Sequence, residues 1–150
     1  MIAQAKQDGA VPVCGGDRLS ESPYERGYFV APTVLDRVRT DMPLWREEVF
    51  GPVVAVATVS GLKEAIKAAN DTSFGLSAAI FTRDLRAAHV FASAVNAGQI
   101  AVNLPTSGWA PHLPFGGFAL SGSPFKEQGL NALQFYTRTK TIAVGFPPAR

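Results

Sequence analysis

The residues best equipped for chemistry stand together at Arg46-Glu47-Glu48-Val49-Phe50-Gly51-Pro52, followed at once by the apolar run Val53–Ala57. Two adjacent carboxylates lead into an aromatic, and the Gly-Pro pair then turns the backbone and stops any helix. The run behind it reads as a short strand buried on both faces. An acid and an aromatic held just before such a strand lie at the rim of a sheet, where α/β proteins bind ligands. The plainer alternative is a surface turn with two solvated acids. A second candidate is Pro114-Phe115-Gly116-Gly117-Phe118 with Ser121-Gly122. Its paired glycines let backbone approach a ligand closely, and Phe115 offers an apolar wall. Cys14, in Val13-Cys14-Gly15-Gly16, has no neighbouring His or base to activate it and reads as a structural small hydrophobe. His89 falls in a helix, at the surface or rim. His112 lies in a loop where it could face a substrate, but two histidines without cysteine neighbours make no metal site. No nucleophile-elbow motif supports Ser–His–Asp catalysis.

The elements that must position these residues follow from periodicity and turn chemistry. Ile2, Ala3 and Ala5 before Gly9 suggest the last turns of a helix with a glycine C-cap, and its start at Met1, without a cap residue, looks truncated. Val11–Cys14 is a short strand. Asp17–Arg26 is a surface loop. Tyr28–Val30 and Thr33–Leu35 form a ribbon interrupted by Pro32, which suits an edge or bulged strand. After a strand over Val53–Val59, Ser60 caps a helix whose apolar residues Leu62, Ala65, Ile66 and Ala69 make one stripe. Asn70-Asp71-Thr72 ends it, and Leu76–Phe81 reads as a second fully buried strand. Thr82 or Asp84 caps the next helix, with Leu85, Ala88, Phe91, Ala92 and Val95 inward and Gly98 closing it. Gln99–Asn103 completes a βαβαβ unit, the signature of a parallel α/β sheet. Leu104–Gly122 is a long loop whose glycines and prolines forbid regular structure, while Trp109, Phe115 and Phe118 argue that it is packed. Lys126–Tyr136 is helical, Arg138–Val144 a closing strand, and Phe146-Pro147-Pro148 a tail.

Residues 1–150 suffice for a single domain with one real core. Basic and acidic residues number 14 and 12 and are scattered, so no Lys/Arg block points to nucleic acid or a membrane surface. No apolar stretch approaches a membrane span, and a soluble cytoplasmic protein is expected. Charged residues make up only 17% of the chain and mean hydropathy is positive, so surface is expected to be buried in an oligomer or against the rest of a larger protein.

Five stretches share a pattern with one family. Glu-Glu-Val-Phe-Gly-Pro-Val (47–53), Gly-Tyr-Phe-Val-Ala-Pro-Thr-Val (27–34), Asn-Asp-Thr-x-x-Gly-Leu (70–76), Pro-Phe-Gly-Gly-x-x-x-Ser-Gly (114–122) and Tyr-Thr-x-x-Lys-Thr (136–141) resemble, in order, segments of NAD(P)-dependent aldehyde dehydrogenases. The resemblance implies a partial aldehyde dehydrogenase catalytic domain, with a parallel βαβ sheet and a C-terminal strand of the oligomerisation type. It implies oxidation of an aldehyde to an acid with NAD or NADP in the complete enzyme. Glu48 would accept hydrogen bonds from the nicotinamide ribose, a task that suits a carboxylate because it takes two donors from a vicinal diol. Phe50 would pack near the nicotinamide. Phe115, Trp109, His112 and the loop Leu104–Leu113 would line the aldehyde entrance. Glu127 resembles a proton-relaying glutamate, or else is a helix N-terminal acid. Trp109 and the Ser121–Gln128 run are similar to semialdehyde-oxidising members.

Two departures stand out. Ala119 occupies the place of the family's Lys or Arg in P-F-G-G-x-K, and one extra residue lies between Ser121 and Glu127. The nucleophile motif G-Q-x-C, the general-base motif E-L-G-G and the glycine-rich dinucleotide turn are all absent. The chain therefore matches only the C-terminal part of the enzyme, and by itself it is expected to be inactive. Its partners would be the missing N-terminal part, an aldehyde and further copies of itself. The alternative is a non-catalytic assembly module or the relic of a truncated gene.

Overall fold

The described strands form four small sheets, none of which pairs a strand before Val56 with one after Asn70. The computed structural model describes residues 1–123 and 125–146. The elements are α1 (Ile2–Gln7), β1 (Val11–Cys14), β2 (Arg18–Leu19), β3 (Phe29–Val30), β4 (Thr33–Asp36), α2 (Pro43–Arg46), β5 (Val53–Ala55), α3 (Leu62–Asn70), β6 (Phe74–Gly75), β7 (Ser77–Ile80), α4 (Leu85–Ala94), β8 (Gln99–Val102), β9 (Phe118–Ala119), a 3-10 turn (Gly129–Asn131) and α5 (Ala132–Tyr136). The Pro147-Pro148 tail lies outside the described residues.

The first sheet runs β1-β4-β5, with β1 antiparallel and β5 parallel to β4. The strand over Thr33–Leu35 is thus central, not an edge. The irregularity sits instead on β1, between Pro12 and Cys14, where a proline without an N–H is tolerated. Leu35, Met42, Val38, Leu44, Ala5 and Ala10 are buried together, with Ile2, Trp45, Val49 and Val53 packed around them. Thr33 is buried here too, and its hydroxyl is satisfied, accepting from Gly16 N–H at 2.8 Å and donating to Ala31 O at 2.7 Å.

The βαβ expectation holds for β7-α4-β8: β7 and β8 are parallel, in register from Ser77↔Gln99 to Ile80↔Val102. It does not extend to β5, which pairs with β4 and not with β7. Burial also differs from expectation. Val54, Val56, Phe81 and Leu85 are exposed, and Ser77–Ile80 only half-buried. At Val56 the reason is an open apolar cleft between β5 and α3, lined by Trp45, Val56, Ala65 and Ala68. On α4, Ala88, Phe91 and Val95 face inward as expected, whereas Ala92 faces solvent.

Asp84 caps α4 by accepting from Arg86 N and Ala87 N. Ser60 is not the cap of α3. Gly61 holds that place, and Ser60 instead donates its N–H and hydroxyl to the Glu64 carboxylate. The helix expected from Lys126 starts only after Gly129, whose φ of +61° is a left-handed turn that no continuous helix passes. Arg138–Val144 joins no strand among the described residues. A strand needs a ladder partner, and Ile142 and Val144 point into solvent, 76% and 70% exposed.

Candidate functional site

The acidic turn begins where α2 stops. Pro43 opens this helix, and Glu47 leaves it in extended backbone while its N–H closes on Pro43 O at 2.9 Å. Trp45 is half-buried against the core and donates Nε1–H to Asp71 O at 3.1 Å. Arg46 grips the Asp71 carboxylate with both Nη atoms, at 2.5 and 2.9 Å. The end of α2 is thereby fixed to the end of α3 by a planar two-point contact. From that anchor Val49 turns inward, while Glu47, Glu48 and Phe50 turn out. Glu48 makes no side-chain hydrogen bond among the described residues, so its acceptor sites are open. Phe50 takes φ +49° and is 91% exposed. A left-handed conformation at a residue with a Cβ costs on the order of 1 kcal/mol. Rigid backbone follows at once: Val53 N–H donates to Gly51 O and Thr33 N–H to Pro52 O, both at 2.8 Å.

The second cluster surrounds the glycine pair. Gly116 and Gly117 are buried and Phe115 is half-buried. Gly98 lies so close that a Cβ on it would come within 1.9 Å of Gly116 O, an approach that only glycine permits. β6 and β9 pair here, Gly75 opposite Phe118, and the Ser121 hydroxyl accepts from Gly75 N–H at 3.1 Å. The Asn-Asp-Thr-x-x-Gly-Leu and Pro-Phe-Gly-Gly motifs, far apart in sequence, are therefore one structural unit. Glu127 N–H donates to Phe115 O at 2.8 Å, and Gly129 N–H reaches Pro111 O. Trp109 is half-buried and donates Nε1–H to Thr106 O at 2.9 Å.

The expected site residues thus fall into two groups. Trp109, His112, Phe115 and Glu127 share the loop over the glycine pair, while Glu48 and Phe50 occupy the acidic turn of the first sheet. No hydrogen bond among the described residues joins the two groups. Glu127 does not begin a helix: it is exposed and lies before the 3-10 turn, whose cap position is Gln128, so the helix-cap reading fails. Cys14 is exposed, with its Sγ 3.7 Å from Pro32 O, and is not a buried hydrophobe. His89 and His112 are both exposed.

Three structural contributors were not legible as such. Asp71 and Asn70 look like ordinary helix terminators, yet Asn70 also ties the end of α4, donating to Ala94 O and accepting from Asn96 N–H. Lys126 directs its ammonium inward to Gly98 O at 3.0 Å and to Gly116 O, and stands 5.1 Å from the centre of the Phe118 ring. Burial lowers its pKa below the ordinary lysine value. The one sequence signal for it was a lone cation beside a run of glycines and aromatics.

A model of the aldehyde dehydrogenase family matches residues 1–142. The chain belongs to the aldehyde dehydrogenase family. It is 40% identical over 143 residues to the alpha-ketoglutaric semialdehyde dehydrogenase of Bacillus subtilis, a match spanning 95% of this chain and 29% of that protein. It is 47% identical over 139 residues to the alpha-ketoglutarate semialdehyde dehydrogenase of Haloferax volcanii, covering 92% of this chain and 29% of that one. In three dimensions it resembles the P. syringae indole-3-acetaldehyde dehydrogenase solved with NAD+, with TM-score 0.85 and 41% identity, over 93% of this chain and 27% of the other. This aldehyde dehydrogenase chain therefore spans under a third of the length of the relatives it matches. No helix among the described residues is long and apolar enough to cross a membrane.

Proposed function

We propose that the chain, residues 1–150 as one domain, forms the C-terminal part of an NAD(P)+-dependent aldehyde dehydrogenase that oxidises an aldehyde to a carboxylic acid. The observation that carries this is the acidic turn: an unbonded carboxylate and an almost fully exposed aromatic, held by the Arg46–Asp71 contact on one side and by the β4–β5 ladder on the other. The residues fit the cofactor. Glu48 has both oxygens free for two ribose hydroxyls, and the Phe50 ring offers a flat apolar surface for the nicotinamide. When bound, the cofactor supplies the hydride acceptor.

What this chain does is orient and enclose. Glu48 fixes the ribose, Phe50 limits where the nicotinamide ring settles, and Phe115, Trp109 and His112 line the aldehyde path and exclude water. Glu127 relays protons during hydrolysis of the acyl intermediate. The thiol nucleophile is not in this sequence, so residues 1–150 alone oxidise nothing. Arg138–Val144 adds as a strand to the sheet of a second copy, which covers its exposed apolar side chains.

The test is formation of reduced nicotinamide, followed by absorbance, over a panel of aldehydes that includes an oxo-acid semialdehyde. The full-length protein should turn over about once per second or faster, and residues 1–150 should show none. A full-length protein that is inert across the panel with both NAD+ and NADP+ defeats the reading.

A further inference from the structure

We propose that Lys126 is a positioning residue that locks the glycine pair, Phe115 and Glu127 into one rigid unit. Its ammonium bridges two carbonyls from distant parts of the chain, Gly98 O at the entry to β8 and Gly116 O in the glycine turn. Those carbonyls belong to backbones already so close that no side chain fits between them. Two carbonyl dipoles facing one region at that range repel, and a cation between them turns the repulsion into two charge-assisted bonds. The Phe118 ring closes the far side at 5.1 Å, where its negative face favours the ammonium. Among the described residues no carboxylate pairs with Lys126, and the neighbouring Glu127 side chain turns to solvent. The ammonium is thus held by carbonyls and a ring alone.

The consequence reaches the site through the backbone. Glu127 follows Lys126 directly, and its N–H is tied to Phe115 O at 2.8 Å, next to Gly116. Lys126 therefore grips residue 116 while Glu127 grips residue 115. The apolar wall and the carboxylate keep a fixed separation, although the chain between Phe118 and Lys126 has one residue more than the aldehyde dehydrogenase pattern. The ammonium also provides the glycine turn with a cation where Ala119 provides none.

The kinetic part of this inference rests on the proposed function, whereas the clamp itself does not. In the full-length protein, Lys126→Met keeps the stem and removes the charge. Amides of residues 115–117 and 127 should then exchange with deuterium about tenfold faster or more, while those of 5–10 and 33–44 stay unchanged. The kcat/KM for aldehyde should fall about tenfold, with the cofactor KM within about twofold, because Glu48 and Phe50 are on another turn. Unchanged local exchange in the folded variant overturns the clamp. A loss of protection spread evenly over the chain overturns positioning in favour of general stability. If the variant does not fold, acetylation of the wild-type protein decides: Lys126 should react far more slowly than the exposed Lys63 and Lys140, and equal rates overturn the proposal. A wild-type protein without aldehyde activity removes only the kinetic expectation and leaves the exchange and labelling results to judge the clamp.

Discussion

Gly98→Ala should be the most damaging single-methyl change in the chain. The added carbon would lie 1.9 Å from Gly116 O, 2.9 Å from Gly116 C and 2.6 Å from the Lys126 ammonium. The lysine tip can swing away, but the Gly116 carbonyl oxygen and carbon are backbone and cannot. To reach a distance that carbon and oxygen tolerate, the 116 backbone must retreat by about 1 Å or more. That movement strains three linked bonds: Gly98 N–H to Gly75 O at 2.9 Å, Lys126 Nζ to Gly98 O at 3.0 Å, and Glu127 N–H to Phe115 O at 2.8 Å. Overpacking of this kind costs roughly 1–3 kcal/mol, and each bond weakened adds about 1 kcal/mol. A loss of about 4–6 kcal/mol follows, a large part of a typical domain's stability. Gly61→Ala is the matched control, because a Cβ there meets nothing within 4 Å and its backbone is extended. It should cost less than about 0.5 kcal/mol, the usual effect of an exposed substitution. Denaturant titration of the full-length protein, read as a shift in midpoint at constant slope, measures both. Equal midpoints for the two variants would refute the close-approach argument.

The remaining expectations concern the acidic turn, α3 and the C-terminal segment. Glu48→Gln keeps the shape and weakens the acceptor, so kcat/KM of the full-length enzyme should fall about ten- to a hundredfold; unchanged kinetics would reduce the turn to a surface feature. The Glu64 carboxyl titrates below its ordinary value of 4.5 because the Ser60 hydroxyl donates to it, then the Ser60 N–H. Its stabilising contribution is thus complete above the ordinary glutamate value and is lost as pH falls through the lowered one. In Ser60→Ala an NMR titration should show the Glu64 pKa moving back up, and an unmoved curve would contradict the hydroxyl as the main cause. Residues 1–150 alone should elute from a sizing column with a scattering mass at least twice 15.9 kDa, and truncation after Thr139 should change that state. A 15.9 kDa species at all concentrations would show that Arg138–Val144 does not carry assembly.

Local rules served well where a single element decides the outcome. α4 follows its apolar spacing and its Asp84 cap, and α1 ends at the glycine that stops it. They failed where the answer depends on a second segment. A β-branched run such as Val53–Val56 fits a strand between two covering layers, but whether both layers are present is not a property of the run. Arg138–Val144 has the composition of a strand, yet a strand exists only when another backbone accepts its bonds. Ser60 has the residue type of a cap, but Glu64 draws Ser60 toward itself and leaves the cap position to Gly61.

The candidate site was legible in its motifs but not in its mechanics. Residue type alone leaves Glu48 and Phe50 readable as an ordinary surface turn, and what singles them out with Phe115 is the resemblance of their motifs to the aldehyde dehydrogenase pattern. Nothing about them tells how they are held. The holding is done by residues that pattern reading assigns to punctuation: Asp71 at the end of a helix, Ser121 in a turn, Lys126 between a loop and a helix. Each acts over a long sequence separation, Arg46 to Asp71, Gly75 to Ser121 and Gly98 to Lys126. Each is a polar side chain bonded to a group that the folded backbone brings within reach. Propensity is local and cannot register such a contact, whereas the motif spacing records its result. The serine at 121 serves the backbone N–H of residue 75, while the glycine there is required by Asn96 O, which a Cβ would meet at 2.6 Å.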